Sequence, residues 1–373
     1  MTLRVAIAAG GAAWEGQAVA EVERLPGLAL SRRCVDVADL LGAVAAEVVD
    51  AAVVSPSLPG LDLEVVDRLR RAGLTVVAMR EGDPDTAARL GLGEALEVAD
   101  LHRLDDLRTG PADPDVLHGR LIAVWGPTGA PGRSAVALTL ASALAAHGTA
   151  TVLVDADVEG GAQAQAVGLL ADVSGLVAAA RAANRGRAAQ VVDELQPIVP
   201  GLRLLTGLPR ADMASQIHPV AYDAVLSELL RAADVVVADC GFSLDADVGR
   251  GAVSAATLER ADEIVVVGRA DPLGLARLVR ALHDLAAVAP GRSPRVLVNH
   301  ARRSLGWNPR EVDATIARLT GITPEAHLPW DQAAWDAAAI AGRLPREAAP
   351  SSPFVARVEA FASSLARRAS HSA

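Results

Sequence analysis

Short apolar runs alternate with segments of helical periodicity over the first hundred residues of the chain. The runs RVAIAAG, AAVVSPSLPG and LTVVAM predict strands, the second of which leads into a loop. The segments from Glu15 to Arg24 and LEVVDRLRRAG predict helices between those strands. Because strand–helix alternation places helices on both faces of a parallel sheet, this region predicts an α/β domain.

A second alternation of the same kind begins at LIAVWG. Its first helix is predicted over Ser134 to His147, with an amphipathic pattern and Gly148 as a stop signal. Further helices are predicted over Tyr222 to Ala232 and Leu273 to Ala287. Later strands are predicted by runs of β-branched residues and Leu, which are typical of strands buried on both faces of a parallel sheet. These runs are DVVVADCG, DEIVVVGRA and RVLVNHA.

The stretch between the two alternations, residues 102–120, is polar and rich in turn-forming residues, including Pro111 and Pro114. We therefore predict a first domain over 1–101, a linker over 102–119 and a second domain over 120–373. The predicted fold class is α/β, with two doubly wound parallel-sheet domains in tandem.

The composition is that of a folded protein without lysine. Of the 373 residues, 51% are hydrophobic and 21% are charged, so a large core can form. All 35 residues counted as Lys+Arg are Arg. Residues 1–118 hold 20 acidic residues against 11 Arg, and this acidic part of the chain repels nucleic acid. We expect no nucleic-acid partner.

Cysteine usage and the N-terminus indicate the compartment. Cys34 and Cys240 form neither a disulfide framework nor a metal-ligand spacing, which is typical of a reducing environment. The N-terminus MTLRVAIAAGG lacks the pattern of a signal peptide, and no apolar run is long enough to span a membrane. We therefore expect a cytoplasmic protein.

The stretch VWGPTGAPGRSAV carries the first candidate chemistry. It passes from a predicted strand into a predicted helix through a turn that contains Gly129 and Gly132. Backbone N–H groups at the start of a helix surround an anion, so this turn has the pattern of a phosphate-binding loop. Ser134 stands where such a loop offers a hydroxyl to Mg²⁺, but Arg133 replaces the loop's lysine. On this stretch alone, a phosphate loop and a structural turn remain alternatives.

Three carboxylates follow predicted strands of the second domain. Asp155 and Asp157 end the run VLVDAD, and Asp239 ends the run VVVAD. Ligands of open α/β sheets bind outside the C-terminal ends of the strands, so the loop and the carboxylates are expected to meet in one crevice. Together they favour a nucleotide site over solvated strand ends or helix caps.

From about Arg120 to its C-terminus, the chain resembles the ParA/MinD superfamily of deviant-Walker P-loop ATPases. TGAPGRS is similar to that family's loop KGGVGKT, VLVDAD to its first switch and DVVVADCG to its Walker B strand. VLVNHARR resembles the strand that ends in a base-contacting Asn. LPWDQAAWDAAAIAGRLPREAAPSSPF is similar to the adenine-side loop and the closing helix.

The resemblance implies a site for ATP or ADP with Mg²⁺. It implies that Ser134, Asp155 and Asp239 hold the metal and that Asp157 orients the attacking water if hydrolysis occurs. The implied nucleotide-binding residues are Thr128, Gly129, Ala130, Pro131, Gly132, Arg133, Ser134, Ala135, Asn299 and Pro329.

Two departures from the family pattern bear on catalysis. Thr128, neutral and short, stands where the family has a lysine that reaches the partner's phosphates across a nucleotide-sandwiched dimer. Arg133 replaces the second lysine, and a planar guanidinium is not interchangeable with an ammonium. Losing one preorganised contact to transition-state charge costs about 3 kcal/mol. We therefore expect nucleotide binding with slow or absent hydrolysis, at most a weak ATPase.

The first domain resembles a response-regulator receiver that lacks the residues of phosphotransfer. Ala8 and Ala9 stand where an acidic pair follows the first strand, and Ser55 stands at the position of the phosphorylated Asp. The lysine of receivers is absent from a lysine-free chain. We expect an inert pseudo-receiver used for protein contacts; the alternative is an unrelated flavodoxin-like domain.

A pseudo-receiver joined to a degenerate ParA/MinD-type ATPase resembles the CpaE/TadZ proteins, which position the assembly machinery of tight-adherence pili. It also resembles actinobacterial septum-site-determining proteins. These resemblances imply a localisation scaffold for pilus assembly or, alternatively, a regulator of septum placement; the missing lysines disfavour an active DNA-partitioning ATPase. They also imply a homodimer, a protein partner bound through the pseudo-receiver, and recruitment to the inner face of the membrane, a cell pole or the septum.

The segment PFVARVEAFASSLARR predicts a C-terminal helix with one apolar face. Such a helix either packs on the core of its own domain or contacts a membrane surface. Its polar face is not strongly basic, which favours the core. The apolar face consists of Phe354, Val358, Phe361 and Leu365.

Overall fold

The computed structural model describes most of the chain as two compact units. The described residues are 2–82, 85–92, 95–104, 119–129, 131–169, 173–245 and 251–369. The first unit comprises Met1–Val116 and Arg181–Gln190, and the second comprises Leu117–Ala180 and Val191–Ala373. Most of the predicted linker, residues 105–118, lies outside the described residues.

The first unit contains a four-stranded parallel sheet. Its strands are β1 Leu3–Ala8, β2 Leu28–Cys34, β3 Ala51–Val54 and β4 Thr75–Ala78. Its helices are α1 Glu15–Arg24, α2 Val37–Ala45, α3 Leu63–Arg71 and α4 Asp85–Arg89, with a 3₁₀ helix over Val98–Leu104. The strand order β2-β1-β3-β4 is that of flavodoxin-like folds, receivers included. The order therefore agrees with both alternatives for this domain.

The second unit is built on one eight-stranded sheet. Its strands are β5 Arg120–Trp125, β6 Thr151–Ala156, β7 Gln196–Val199, β8 Leu202–Leu205, β9 Val235–Cys240, β10 Glu263–Arg269, β11 Arg295–Ala301 and β12 Ala326–Pro329. They lie in the order β12-β11-β10-β5-β9-β6-β8-β7, all parallel except β7, which is antiparallel to β8. The α/β parallel-sheet fold predicted from the sequence is confirmed. Because β5 lies near the middle of the sheet, the loop that follows it opens at the centre of the C-terminal edge.

Helices and short 3₁₀ turns connect these strands. The helices are α5 Arg133–Ala146, α6 Gln163–Ala166, α7 Gly175–Asn184, α8 Pro219–Ala232, α9 Ala252–Arg260, α10 Pro272–Val288, α11 Pro309–Thr320, α12 Gln332–Ala341, α13 Pro345–Ala348 and α14 Pro353–Ala369. The 3₁₀ helices are Ala188–Glu194, Ala211–Gln216 and Arg303–Leu305. The three predicted helices of this unit, α5, α8 and α10, are confirmed. Helix α8 begins earlier than predicted, because proline is favoured at the first helical position.

Helix α5 is buried on all sides, whereas its sequence pattern predicted an amphipathic helix. Every residue from Val136 to Ala145 is buried. The reason is the C-terminal helix, which packs on α5 and supplies its own apolar face to the same core. The four apolar residues of that face are buried: Phe354, Val358, Phe361 and Leu365. The core alternative for this helix is confirmed. Among the described residues, no helix combines the length and the apolar character that a membrane crossing requires.

A buried arginine also ties α14 to the sheet. Nε and Nη2 of Arg295, at the start of β11, each donate to the Glu325 carboxylate at 2.6 Å. Nη2 donates as well to Ser364 Oγ at 3.1 Å, and the guanidinium lies 4.7 Å from the centroid of the Phe361 ring. This bidentate ion pair and cation–π contact fix α14 against the strands.

Candidate functional site

The segment between β5 and α5 is a turn that requires glycine at two positions. Gly129 and Gly132 have φ values of +104° and +89°, in the left-handed region that favours glycine. A Cβ on Gly129 would lie 2.1 Å from Arg277 Nη1, and one on Gly132 would lie 2.4 Å from Asn299 Nδ2. The turn delivers the chain to Arg133, where α5 begins with N–H groups that have no partner within the helix. Its backbone is that of a candidate anion cradle.

The guanidinium of Arg133 turns back onto its own loop. Nη1 donates to the carbonyls of Gly126 at 2.9 Å and Pro127 at 3.3 Å, and Nη2 forms an ion pair with Asp157 Oδ2 at 3.2 Å. Only 12% of the Arg133 side chain is exposed. The cation predicted to reach a phosphate is therefore engaged with protein groups.

Asp157 is held by three donors. Besides the Arg133 ion pair, its Oδ1 accepts the N–H groups of Glu159 at 3.1 Å and Gly160 at 3.0 Å. The residue predicted to orient water thus fixes the turn after β6 and stays bound to the loop arginine.

Asp155 and Asp239 lie side by side on β6 and β9, in register with each other, and both are buried. Gln163, at the start of α6, joins them to the loop. Its Nε2 donates to Asp239 Oδ2 at 2.8 Å and to the Ser134 carbonyl at 3.0 Å, and its backbone N–H donates to Asp155 Oδ2 at 3.0 Å. The sequence reading missed Gln163, because no motif or periodicity marks it in the segment after VLVDAD.

Burial controls the ionisation of this carboxylate pair. Desolvation raises the pKa of Asp239 to about 6, while hydrogen bonds from Ser134 and Gln163 oppose the rise. Desolvation, together with the charge of Asp239, raises the pKa of Asp155 well above its ordinary value. The two carboxylates therefore favour binding a proton or a cation that neutralises part of their charge.

The oxygen atoms of this cluster fit a hydrated Mg²⁺ ion. Oδ1 of Asp155 and Oδ1 of Asp239 are buried and accept no hydrogen bond from the described residues. Within the same residues, no group of three or more His, Cys, Asp or Glu has the geometry of a metal site. A bound Mg²⁺ would therefore take its remaining oxygens from water and phosphate, as this ion usually does.

The three predicted metal ligands differ in exposure, because Ser134 lines an open cavity whereas Asp155 and Asp239 are buried and do not line it. The Ser134 hydroxyl interacts with Asp239 and opposes the rise of its pKa. Two glycines make room for the Asp155 carboxyl group, because a Cβ on Gly161 or Gly207 would come within 2.3 Å or 2.6 Å of it.

The cavity beside the loop has a volume of about 610 Å³. Besides the loop, its lining includes the polar side chains of Asp157, Glu159 and Gln163 and the aromatic rings of Phe242 and Trp335. The predicted site residues that line it are Thr128, Gly129, Pro131, Gly132, Arg133, Ser134, Ala135 and Asp157. Ala130 lies outside the described residues.

Asn299 contacts the loop instead of the cavity. Its Nδ2 donates to the Pro131 carbonyl at 2.8 Å, its Oδ1 accepts the N–H of His300 at 2.8 Å, and it is buried. Pro329, at the end of β12, is also absent from the cavity lining. The base contacts predicted for these two residues stay predictions.

His300 lies beside the loop, with its Nε2 3.8 Å from the position of a Cβ on Gly132. His300 has a left-handed φ of +58°, and its ring packs edge-on against Trp330 with centroids 4.1 Å apart. Burial, with the nearby charges of Arg269 and Arg302, lowers the pKa of His300 to about 4, so the ring is neutral at physiological pH.

In the first unit, Ser55 occupies the position of a receiver's phosphorylated Asp, and its hydroxyl group is hydrogen-bonded. Ser55 is buried and its Oγ donates to Glu81 Oε2 at 2.7 Å. Trp14 Nε1 donates to the same oxygen at 3.2 Å. The carboxylate therefore comes from the segment after β4, and the expectation of an inert pseudo-receiver stays a prediction.

The sequence matches no protein-family model and no curated protein. Solved structures match the fold. A ParA family ATPase from Chlorobium tepidum TLS has 20% identity and a TM-score of 0.55, over 65% of this chain and 98% of its own. The septum site-determining protein MinD of Pyrococcus horikoshii OT3, complexed with Mg-ADP, has 19% identity and a TM-score of 0.55, over 68% and 99%.

A chain of the MinC:MinD cell division protein complex from Aquifex aeolicus has 18% identity and a TM-score of 0.53, over 66% of this chain and 96% of its own. These neighbours share a parallel-sheet P-loop architecture, and the loop and the C-terminal ends of β6 and β9 described above lie at one edge of such a sheet. Over about two thirds of its length, the chain has the fold of the ParA/MinD ATPases.

Proposed function

We propose that this protein is a nucleotide-dependent localisation scaffold, with weak or absent ATP hydrolysis, that positions a machine of the cell envelope. The proposal rests on two features of the loop between β5 and α5. Its turn depends on glycines with left-handed φ values, and its arginine is already engaged by other protein groups. The loop keeps the backbone of a phosphate site, while Arg133 is engaged by Gly126, Pro127 and Asp157.

In the proposed site, nucleotide binding depends on main-chain N–H groups. The amides at the start of α5 would bind the phosphates, and Ser134, Asp155 and Asp239 would hold Mg²⁺, which would neutralise phosphate charge. Asn299 and Pro329 are the residues that would contact the base. The cofactor is ATP or ADP with Mg²⁺, and a Mg-ADP complex of the neighbour MinD supports this assignment.

Hydrolysis is slow because one ion pair engages both residues that would promote it. Arg133 would have to leave Asp157 to meet transition-state charge, and Asp157 would have to leave Arg133 to orient water. Loss of one such contact costs about a hundredfold or more in the rate of hydrolysis. Thr128 adds no charge.

The protein acts as a homodimer with a protein partner. The MinC:MinD complex shows that one neighbour of this fold assembles with a second protein. The first unit, read as a pseudo-receiver over 1–101, is the partner-binding domain, and a linker over 102–119 joins it to the ATPase-like domain over 120–373. From the cytoplasm, the scaffold is recruited to the inner face of the membrane, a pole or the septum.

We assign the assembly machinery of tight-adherence pili as the machine that this protein positions. A second candidate is septum placement, and it is favoured by the cell-division roles of neighbours such as the MinD ATPase of Pyrococcus furiosus. The two differ in phenotype: deletion of the gene removes surface pili in the first case and misplaces septa in the second.

Light scattering of the purified protein tests the scaffold proposal. With Mg-ATP we expect the mass of a dimer and with no nucleotide a larger monomer fraction, while phosphate release stays near background. A mass that is unchanged by nucleotide, or rapid turnover, would contradict a nucleotide-switched scaffold.

A further inference from the structure

The loop lacks a free cation of its own. Thr128 is neutral, and the Arg133 guanidinium is shared between two loop carbonyls and Asp157. Backbone amides suffice for the inner phosphates of a nucleotide, but the outermost phosphate of a triphosphate carries the most charge. A charged donor at the mouth of the loop would bind it more strongly than amides alone.

Two arginines from the neighbouring strand and helix meet the loop at Gly129. Arg269, at the end of β10, donates from Nη1 to the Gly129 carbonyl at 3.3 Å and from Nε to Asp271 Oδ2 at 2.7 Å. Its charge is therefore balanced by Asp271. Arg269 holds the loop in place.

Arg277, on α10, is different. A Cβ on Gly129 would lie 2.1 Å from its Nη1 and 3.3 Å from its Cζ, so the guanidinium rests against the glycine backbone. Arg277 is exposed and forms no hydrogen bond or ion pair with any other residue in the described part of the chain. An unpaired guanidinium thus lies at the tip of the loop.

The packing of α10 accounts for this position. Gly274, one turn earlier, is buried, and a Cβ there would lie 2.4 Å from the Cβ of Arg269. The glycine lets α10 approach the end of β10 closely. Residues one turn further along the same helix face, including Arg277, then project over the loop that follows β5.

We propose that Arg277 binds the terminal phosphate of a bound nucleoside triphosphate from within the same chain, and so supplies the positive charge that Thr128 lacks. The inference rests on the proposed nucleotide binding at this loop. Because the contact is made to the outermost phosphate, Arg277 discriminates triphosphate from diphosphate.

Calorimetric titration of the full chain with Mg-ATP and Mg-ADP tests the inference, using R277A, R277K and the control R280A. Arg280 lies on the same helix and is exposed, and the atoms nearest to a Cβ on Gly129 all belong to Arg277. We expect R277A to weaken Mg-ATP binding about tenfold and Mg-ADP binding less than about threefold, with R280A unchanged. R277K should retain part of the Mg-ATP affinity, since an ammonium still pairs with phosphate as a point charge.

Two results would overturn the assignment of Arg277: an R277A affinity for Mg-ATP equal to that of R280A, or an equal loss for both nucleotides. Absence of binding to the unsubstituted protein is a distinct outcome. It would refute the proposed function and the role of Arg277 together.

Discussion

Replacing Gly132 by alanine is expected to weaken Mg-ADP binding at least about a hundredfold, because several amide contacts to phosphate would be lost together. Gly132 has a φ of +89°, and an added Cβ would lie 2.4 Å from Asn299 Nδ2. The same amide of Asn299 donates to the Pro131 carbonyl. Alanine must therefore displace either the turn or the side chain that holds it.

Gly148 offers a matched control for this substitution. Its φ of +85° is also left-handed, but a Cβ there would meet nothing within 4 Å. Gly148→Ala should cost about 1 kcal/mol of stability through backbone strain and leave the nucleotide affinity unchanged. If Gly132→Ala binds Mg-ADP as tightly as Gly148→Ala in calorimetry, nucleotide does not bind at this loop.

Replacing Gln163 by alanine is expected to lower the free energy of unfolding of the second unit by about 3 kcal/mol. The Gln163 amide is the donor to Asp239 Oδ2 and to the Ser134 carbonyl in a buried cluster. Oδ1 of Asp239 already accepts no hydrogen bond from the described residues. Alanine would remove the hydrogen bond from Gln163 that stabilises this buried carboxylate, so its desolvation would cost more free energy.

Gln165 is the control for Gln163, since it lies on the same short helix and is exposed. Urea denaturation should show a large shift of the midpoint for Gln163→Ala and almost none for Gln165→Ala. Equal shifts would mean that the amide bridge contributes little to the site.

The sequence predicted most elements of the second unit because their signals are local. Consecutive β-branched residues indicated β9, β10 and β11, and the end of α5 follows from Gly148. The turn at Gly129 and Gly132 was also predicted, since glycine marks left-handed backbone directly. The amphipathic assignment of α5 was wrong, because α14 covers the helix from more than two hundred residues away in the chain.

The side-chain contacts within the site could not be predicted in the same way. The direction of the Arg133 guanidinium, the bridge made by Gln163 and the approach of Arg277 to Gly129 each join segments that are distant in sequence. Their residue types are ordinary for their positions. Only the packing of α6 and α10 beside the loop brings them together.

In the proposed site, main-chain amides and not the Arg133 side chain hold the nucleotide. Calorimetric titration of Mg-ADP into the unsubstituted protein and Arg133→Met tests it most directly, because methionine removes the guanidinium and keeps an apolar stem. We predict binding by both proteins, with affinities within about threefold, since the donors of Arg133 serve Gly126, Pro127 and Asp157. Binding that Arg133→Met abolishes would contradict the claim, and so would a protein that binds no nucleotide at all.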